Sequence, residues 1–330
     1  MQAVSNEAPI GIVLLQLGGP DSLESVEPFL YNLFCDPDII DLPLAFLLRK
    51  PLAKFVSRRR APKVQEFYKR IGRKSPILKL TLRQANALDR ALRGKLNARV
   101  AIAMRYWKPF TQDAVAELRR QGIRRVVLLP LYPHYSRTTT GSSINEWNRV
   151  LSVNGTGEFN VDVVEEYCEH PLYIQALVKN IGIALRRVPA AERHGVHLVF
   201  SAHGTPVKLV KSGDLYQQHI VRTYNAVVRQ GDFGLAHHLC YQSKVGPEKW
   251  LEPSLDDTIR QLAREEVSHV IVIPIAFVSD HSETLWEINI ECKEEAKRLG
   301  IKYFDMSPAL NTNPLFVEAL ADLVLNKVNA

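Results

Sequence analysis

The chain is poor in cysteine. Cys35, Cys168, Cys240 and Cys292 are scattered, and no CxxC pair occurs. This excludes a zinc ribbon, a clustered iron–sulfur motif and a disulfide framework, and it fits a reducing compartment. Long apolar runs are also missing, so no membrane-spanning helix is expected. The first residues, MQAVSNEAPI, lack a basic region, and the run Ile12 to Leu17 is short and broken by Gly18-Gly19, so no secretory signal is read. The glycines after that run form GGP rather than GxGxxG, and Pro20 removes a backbone donor; this predicts a tight turn into a helix opened by Asp21 or Ser22, not a nucleotide loop. A net charge of +7 permits acidic ligands or an anionic membrane surface but does not indicate nucleic acid. What remains is an ordinary globular composition, 46% hydrophobic and 23% charged, over 330 residues, enough for two cored domains.

The most informative stretch is Val270 to Glu291, VIVIPIAFVSDHSETLWEINIE. Its apolar start reads as a strand buried on both faces of a parallel sheet, stopped by Pro274. Ionisable groups follow where open α/β sheets bind ligands, beyond the C-terminal strand ends. The helix expected next, capped by Ser279, Asp280 or Ser282, places Glu283, Glu287 and Glu291 at i, i+4, i+8 on one side. Leu285, Ile288, Cys292, Ala296 and Leu299 form its apolar face. Such a stripe is commonly a solvated surface; here Trp286 and Ile290 border Glu283, which suits a cavity for a flat apolar ligand and a cation.

A repeat supports two similar domains. Thr111–Ser136 aligns without gaps on Leu255–Asp280; Asp113, Leu118, Arg120, Val126 and Pro130 match Asp257, Leu262, Arg264, Val270 and Pro274. The segment after Pro130, LYPHYSRTTTGSS, is then expected to face the segment after Pro274 across a cleft. A further strand, His197 to Phe200, runs into Ser201-Ala202-His203-Gly204, which places His203 at a strand tip; a lone histidine there is as readily structural as catalytic. His237 and His238 are adjacent on a strand and point to opposite faces, so they do not share an ion. Leu42 to Arg60, LPLAFLLRKPLAKFVSRRR, mixes apolar and basic residues. It reads either as an ordinary helix or as an apolar lip with a basic collar at a membrane surface.

Together these blocks resemble the ferrochelatases. QLGGPDSLESVEPFL, SRRRAPKVQEFYKRIGRKSPI, YPHYSRTTTGSS, FSAHGTPVKLVKSGDLY, YQSKVGPEKWLEP, PIAFVSDHSETLWEINIE and NTNPLFVEALADLV carry the likeness over almost the whole chain. The resemblance implies an α/β fold of two Rossmann-like domains with parallel sheets flanked by helices and a porphyrin cleft between them. The expected bounds are 1–165 with the lip at 42–60, 166–308 with His203 and Glu283, and a C-terminal helix at 309–330 packing back on the first domain. It implies insertion of Fe²⁺ into protoporphyrin IX to give protohaem, with release of two protons. His203 resembles the family's active-site histidine and Glu283 the carboxylate facing it, both as catalytic and metal-binding residues. Asp280, His281, Glu287 and Glu291 are the accompanying polar path. Tyr132, Tyr135, Ser136, Thr139, Trp250, Leu47 and Phe46 are the expected porphyrin contacts. Two departures stand out: Thr205 replaces the Leu or Ile of many members, and no cysteine-rich tail follows, so no [2Fe–2S] cluster is expected.

The residue types fit that chemistry. Two pyrrole N–H protons must leave as the metal enters; an imidazole is a suitable acceptor near physiological pH, and an opposed carboxylate can bind iron or relay protons. A coproporphyrin ferrochelatase, another tetrapyrrole chelatase and a tetrapyrrole carrier without turnover are alternatives; a carrier needs no paired His203 and Glu283. The expectation is a cytoplasmic monomer with no resident cofactor, taking porphyrin and ferrous iron as partners and touching the inner membrane face peripherally.

Overall fold

A computed structural model describes residues 8–40, 45–154, 157–244 and 248–329; the side chains of 45–47 and 154 lie outside the described residues. The chain divides into two compact units. One comprises Met1–Glu166 together with Val317–Ala330, and the other is Tyr167–Phe316.

The first unit is built on four parallel strands, β1 (Ile10–Gln16), β2 (Ala98–Met104), β3 (Arg125–Pro130) and β4 (Asn160–Val163), in the order β2-β1-β3-β4. Its helices are α1 (Val26–Phe34), α2 (Ala45–Arg70), α3 (Ile77–Leu92), α4 (Thr111–Arg120) and α5 (Ser142–Asn154). β1 lies between β2 and β3 with every residue buried, because its side chains meet helices on both faces. Val13, Leu15, Leu118, Val126, Leu128 and Trp147 form one continuous core. The turn after β1 needs Gly18, whose φ is +84° and whose added Cβ would stand 3.1 Å from the Trp107 backbone nitrogen. The following helix begins at Val26 rather than at Asp21 or Ser22. Those two side chains are spent inside the turn, Asp21 accepting from Ser25 Oγ and Ser22 Oγ accepting from Ser25 N at 3.2 Å.

The second unit repeats the plan. β5 (Val196–His203), β6 (His237–Gln242), β7 (His269–Pro274) and β8 (Tyr303–Met306) are parallel in the order β6-β5-β7-β8. Its helices are α6 (Pro171–Arg187), α7 (Val207–Lys211), α8 (Tyr216–Gly231), α9 (Leu255–Arg264) and α10 (Lys293–Arg298). A last helix, α11 (Pro314–Asn329), begins in this unit and ends in the first, where Arg125 Nη2 donates to Lys327 O at 3.3 Å.

Each residue of the sequence repeat has a physical task. Asp113 accepts from Phe110 N at 2.7 Å and Asp257 accepts from Ser254 Oγ at 2.6 Å, closing the N-termini of α4 and α9. Leu118 and Leu262, Val126 and Val270 are core residues at 0–1% exposure. Arg120 and Arg264 lie in the last helical turns, opposite the negative end of the dipole. Pro130 and Pro274 end β3 and β7. After each proline the chain enters a π-helical segment, Arg137–Gly141 in the first unit and Glu283–Cys292 in the second. The α-helix expected after Pro274 is therefore a π-helix with i→i+5 bonding, and Ser282 precedes it without a side-chain cap. Ile288, Cys292 and Ala296 still pack into the core, and Leu299 lies against it.

Candidate active site

The order β6-β5-β7 brings His203, Gln242 and the residues after Pro274 to one end of the second sheet. His203 is the last residue of β5 and pairs in register with Gln242, the last of β6. The next residue has to be glycine: a Cβ on Gly204 would stand 2.9 Å from Gln242 O and 3.3 Å from Trp250 Cε3. Gly204 N donates to Gln242 O at 2.7 Å, and Leu251 N donates to Thr205 O at 3.1 Å, so the two loops interlock.

His203 Nδ1 lies 2.6 Å from Gly204 O. A carbonyl only accepts, so Nδ1 carries the hydrogen, and in the neutral ring Nε2 is left as an acceptor. That Nε2 is 3.7 Å from Glu283 Oε2. On the other side His281 Nε2 is 3.8 Å from the same oxygen, while His281 Nδ1 donates to Ser279 O at 3.0 Å. Both separations exceed a hydrogen bond, and Glu283 Oε2 is buried without one. An oxygen in this state costs free energy unless charge or a ligand compensates it.

The electrostatics follow from this packing. Burial favours the neutral acid at Glu283, but His203 and His281 outweigh it and hold the carboxyl down at about 2. Burial would lower His281, yet Glu283 and the Ser279 carbonyl raise it above the ordinary histidine value. Glu287 lies one step further along the π-helix and is pushed up to about 7, first by burial and then by the charge of Glu283. Its Oε2 accepts from Ser243 Oγ and, at 3.2 Å, from Gln242 Nε2. Gln242 is itself oriented by Ser201 Oγ at 2.8 Å. Glu291 is exposed, so the three carboxylates step from His203 and buried His281 to solvent.

The structure thus brings His203, His281, Glu283 and Glu287 together, with Trp250 beside Gly204. Asp280 is turned elsewhere: its backbone and carboxylate bond to the Asn311 amide at 3.1 and 2.8 Å. Gln242 and Ser243 were missed as site residues, although their place at the end of a strand beside the histidine strand was readable. In the first unit, Ser136 is buried and its Oγ accepts from Thr138 N at 3.2 Å, capping the π-helical segment. Tyr132, Tyr135 and Thr139 are half-buried around it. The side chains of Phe46 and Leu47 lie outside the described residues.

Two parallel four-stranded sheets of one topology, with an ionisable set beyond the strand ends, define a chelatase fold. Solved structures share it. The chain is similar to SirB from Bacillus subtilis with Fe3+ at a TM-score of 0.59 and 10% identity, covering 97% of this chain and 94% of that one. CbiX, the terminal enzyme for biosynthesis of sirohaem in denitrifying bacteria, matches at 0.51 and 14%, covering 96% and 97%. Within that fold, the ferrochelatase family model matches residues 9–328. Curated relatives named ferrochelatase are 50% identical over 97% of this chain in Geotalea uraniireducens (98% of the relative) and 47% identical over 96% in Aquifex aeolicus (99%). The chain belongs to the ferrochelatase family, whose reaction is the insertion of ferrous iron into a porphyrin in haem synthesis.

Proposed function

We propose that this enzyme converts protoporphyrin IX and Fe²⁺ into protohaem at His203 and Glu283. The supporting observation is the buried Glu283 Oε2, without a hydrogen bond and 3.7 and 3.8 Å from two imidazole nitrogens. Ligands about 2.1 Å from one divalent ion, at an angle near 120°, stand about 3.7 Å apart. His203 Nε2 and Glu283 Oε2 therefore suit one substrate ion. The same Nε2, held as an acceptor by the Gly204 carbonyl, suits removal of a pyrrole proton. Each turnover releases two protons: iron forms bonds to four nitrogens, and the two N–H bonds break. Glu283, His281 and Glu287 form a chain along which those protons leave, ending at exposed Glu291. Glu287 titrates near neutrality and so can take up and release a proton in turn.

Porphyrin delivery is assigned to α2. Leu48, Leu52 and Phe55, at i, i+4 and i+7, are 57, 39 and 63% exposed. The buried side of the helix is made instead of Ala53, Ser57, Ala61 and Tyr68. An apolar stripe turned outward beside Lys50, Lys54, Arg58 and Arg59 suits a shallow contact with an anionic membrane surface. Among the described residues no helix is long and apolar enough to cross a membrane. A cytoplasmic enzyme touching the inner face of the membrane fits these features.

The test is anaerobic metal insertion, followed by absorption, with Fe²⁺ and either protoporphyrin IX or coproporphyrin III. His203→Ala is expected to fold normally and to lose about 10²–10⁴ in rate. Undiminished turnover by the folded variant would overturn the assignment of His203. Turnover of coproporphyrin III alone would overturn the choice of substrate.

A further inference from the structure

The second sheet carries a pair of histidines that the reaction does not use. His197 is the second residue of β5 and His238 the second of β6. Val199 pairs with His238 in the parallel register, and side chains alternate along a strand. His197, Val199 and His238 therefore share one face, the face whose core includes Leu255, Ile259 and Leu262 of α9. His237 points the other way, where its Nδ1 meets Tyr224 Oη at 2.6 Å. His197 Nδ1 and His238 Nε2 stand 3.0 Å apart, and their rings are 11° from parallel. Glu265, the residue that ends α9, exerts its negative charge on both rings. The C-terminal end of α9 adds partial negative charge of its own.

We propose that His197 and His238, completed by the Glu265 carboxylate, form a divalent transition-metal site separate from the site of iron insertion. The donor set of two imidazoles and one carboxylate suits Zn²⁺, Co²⁺, Ni²⁺ or Fe²⁺. Two nitrogens bound to one tetrahedral ion stand about 3.3 Å apart, so the observed 3.0 Å needs only a small opening. The proton now held between the rings does not block the ion. A neutral imidazole carries one hydrogen, and the donor ring moves it to its other nitrogen, leaving both facing lone pairs for the metal. Burial lowers both rings below the ordinary histidine value, against the opposing pull of Glu265. Glu265 is exposed on a helix end, and its carboxylate would have to change rotamer to reach the ion. His203 is six residues along β5, about 20 Å at about 3.3 Å per residue, so one ion cannot serve both places. Bound there, a metal would clamp the edge strand β6 to the central β5.

The experiment is Co²⁺ titration by calorimetry and ligand-field absorption, in a Glu283→Gln background that weakens the insertion site. One Co²⁺ is expected to remain bound in Glu283→Gln, and adding His238→Gln should weaken it at least tenfold. Gln keeps a hydrogen-bonding group against His197, so the fold is expected to survive, which circular dichroism checks. Glu265→Gln changes an exposed side chain and should weaken the same ion several-fold, whatever His238→Gln does to folding. His238→Gln alone should leave iron insertion unchanged. Equal Co²⁺ affinity with and without His238→Gln and Glu265→Gln would overturn the proposal, as would an absence of Co²⁺ binding in Glu283→Gln. Neither result bears on His203 and Glu283 as the insertion site.

Discussion

Glu283 and Glu287 lie four residues apart on one π-helix and titrate in opposite directions. The nearest charges decide this. Glu283 has a histidine on each side, whereas Glu287 has neutral donors and the anion of Glu283, with His203 pulling only more weakly. A raised carboxyl stabilises the fold only while it is protonated in the folded state. For Glu287 that contribution is present below the ordinary glutamate value of 4.5, and it is lost as pH rises from there through about 7. Glu287→Gln should therefore gain stability relative to the unchanged protein as pH goes from 5 to 8, measured by denaturant unfolding at each pH. A constant difference would mean that Glu287 is not held neutral by its surroundings. Glu283→Gln removes the anion that raises both His281 and Glu287. It is expected to lower the insertion rate by about 10²–10⁴ and to move the pH–rate profile to lower pH. A slower enzyme with an unmoved profile would show that Glu283 acts without the relay.

The π-helix and the strand-end loop hold these groups in place, and here the limits of sequence reading are clear. The strand before Pro274, the i, i+4, i+8 carboxylates and His203 at a strand tip were all legible, because buried parallel strands and helical stripes leave strong periodic marks. The repeat was legible for the same reason, since each matched residue caps, packs or terminates. The π geometry was not, because a window of apolar and acidic residues reads alike at i+4 and i+5 spacing. Nor was the service of Asp280 to Asn311, which depends on a contact 31 residues away. Gly204 is the tightest point of the arrangement. In Gly204→Ala the new methyl would press on a backbone oxygen, which cannot swing aside as a side-chain tip can. The variant should lose insertion activity more than tenfold with a modest change in melting temperature. Full activity would show that the loop carrying His203 tolerates displacement.

At the scale of the whole molecule, α2 stands out because Leu48, Leu52 and Phe55 face outward. Leu48→Ser with Phe55→Ser should reduce binding to anionic vesicles at low salt and raise the KM for porphyrin more than that for metal. Each neighbouring Lys or Arg contributes up to about 1 kcal/mol at such a surface, and salt weakens it. Unchanged vesicle binding in the folded variant would make α2 an ordinary surface helix.

The division of the chain has a consequence for how the protein is made. The second unit, Tyr167–Phe316, is an insertion within the first, whose last part begins at Val317. The inserted unit has all of its own residues once Phe316 has been added. The unit that was started first must wait, with Arg125 and the rest of its sheet already synthesised, for the stretch that supplies the Lys327 carbonyl. The inserted unit is thus complete in sequence before the unit that encloses it, and a chain ending at Phe316 would carry a whole second unit and an unfinished first.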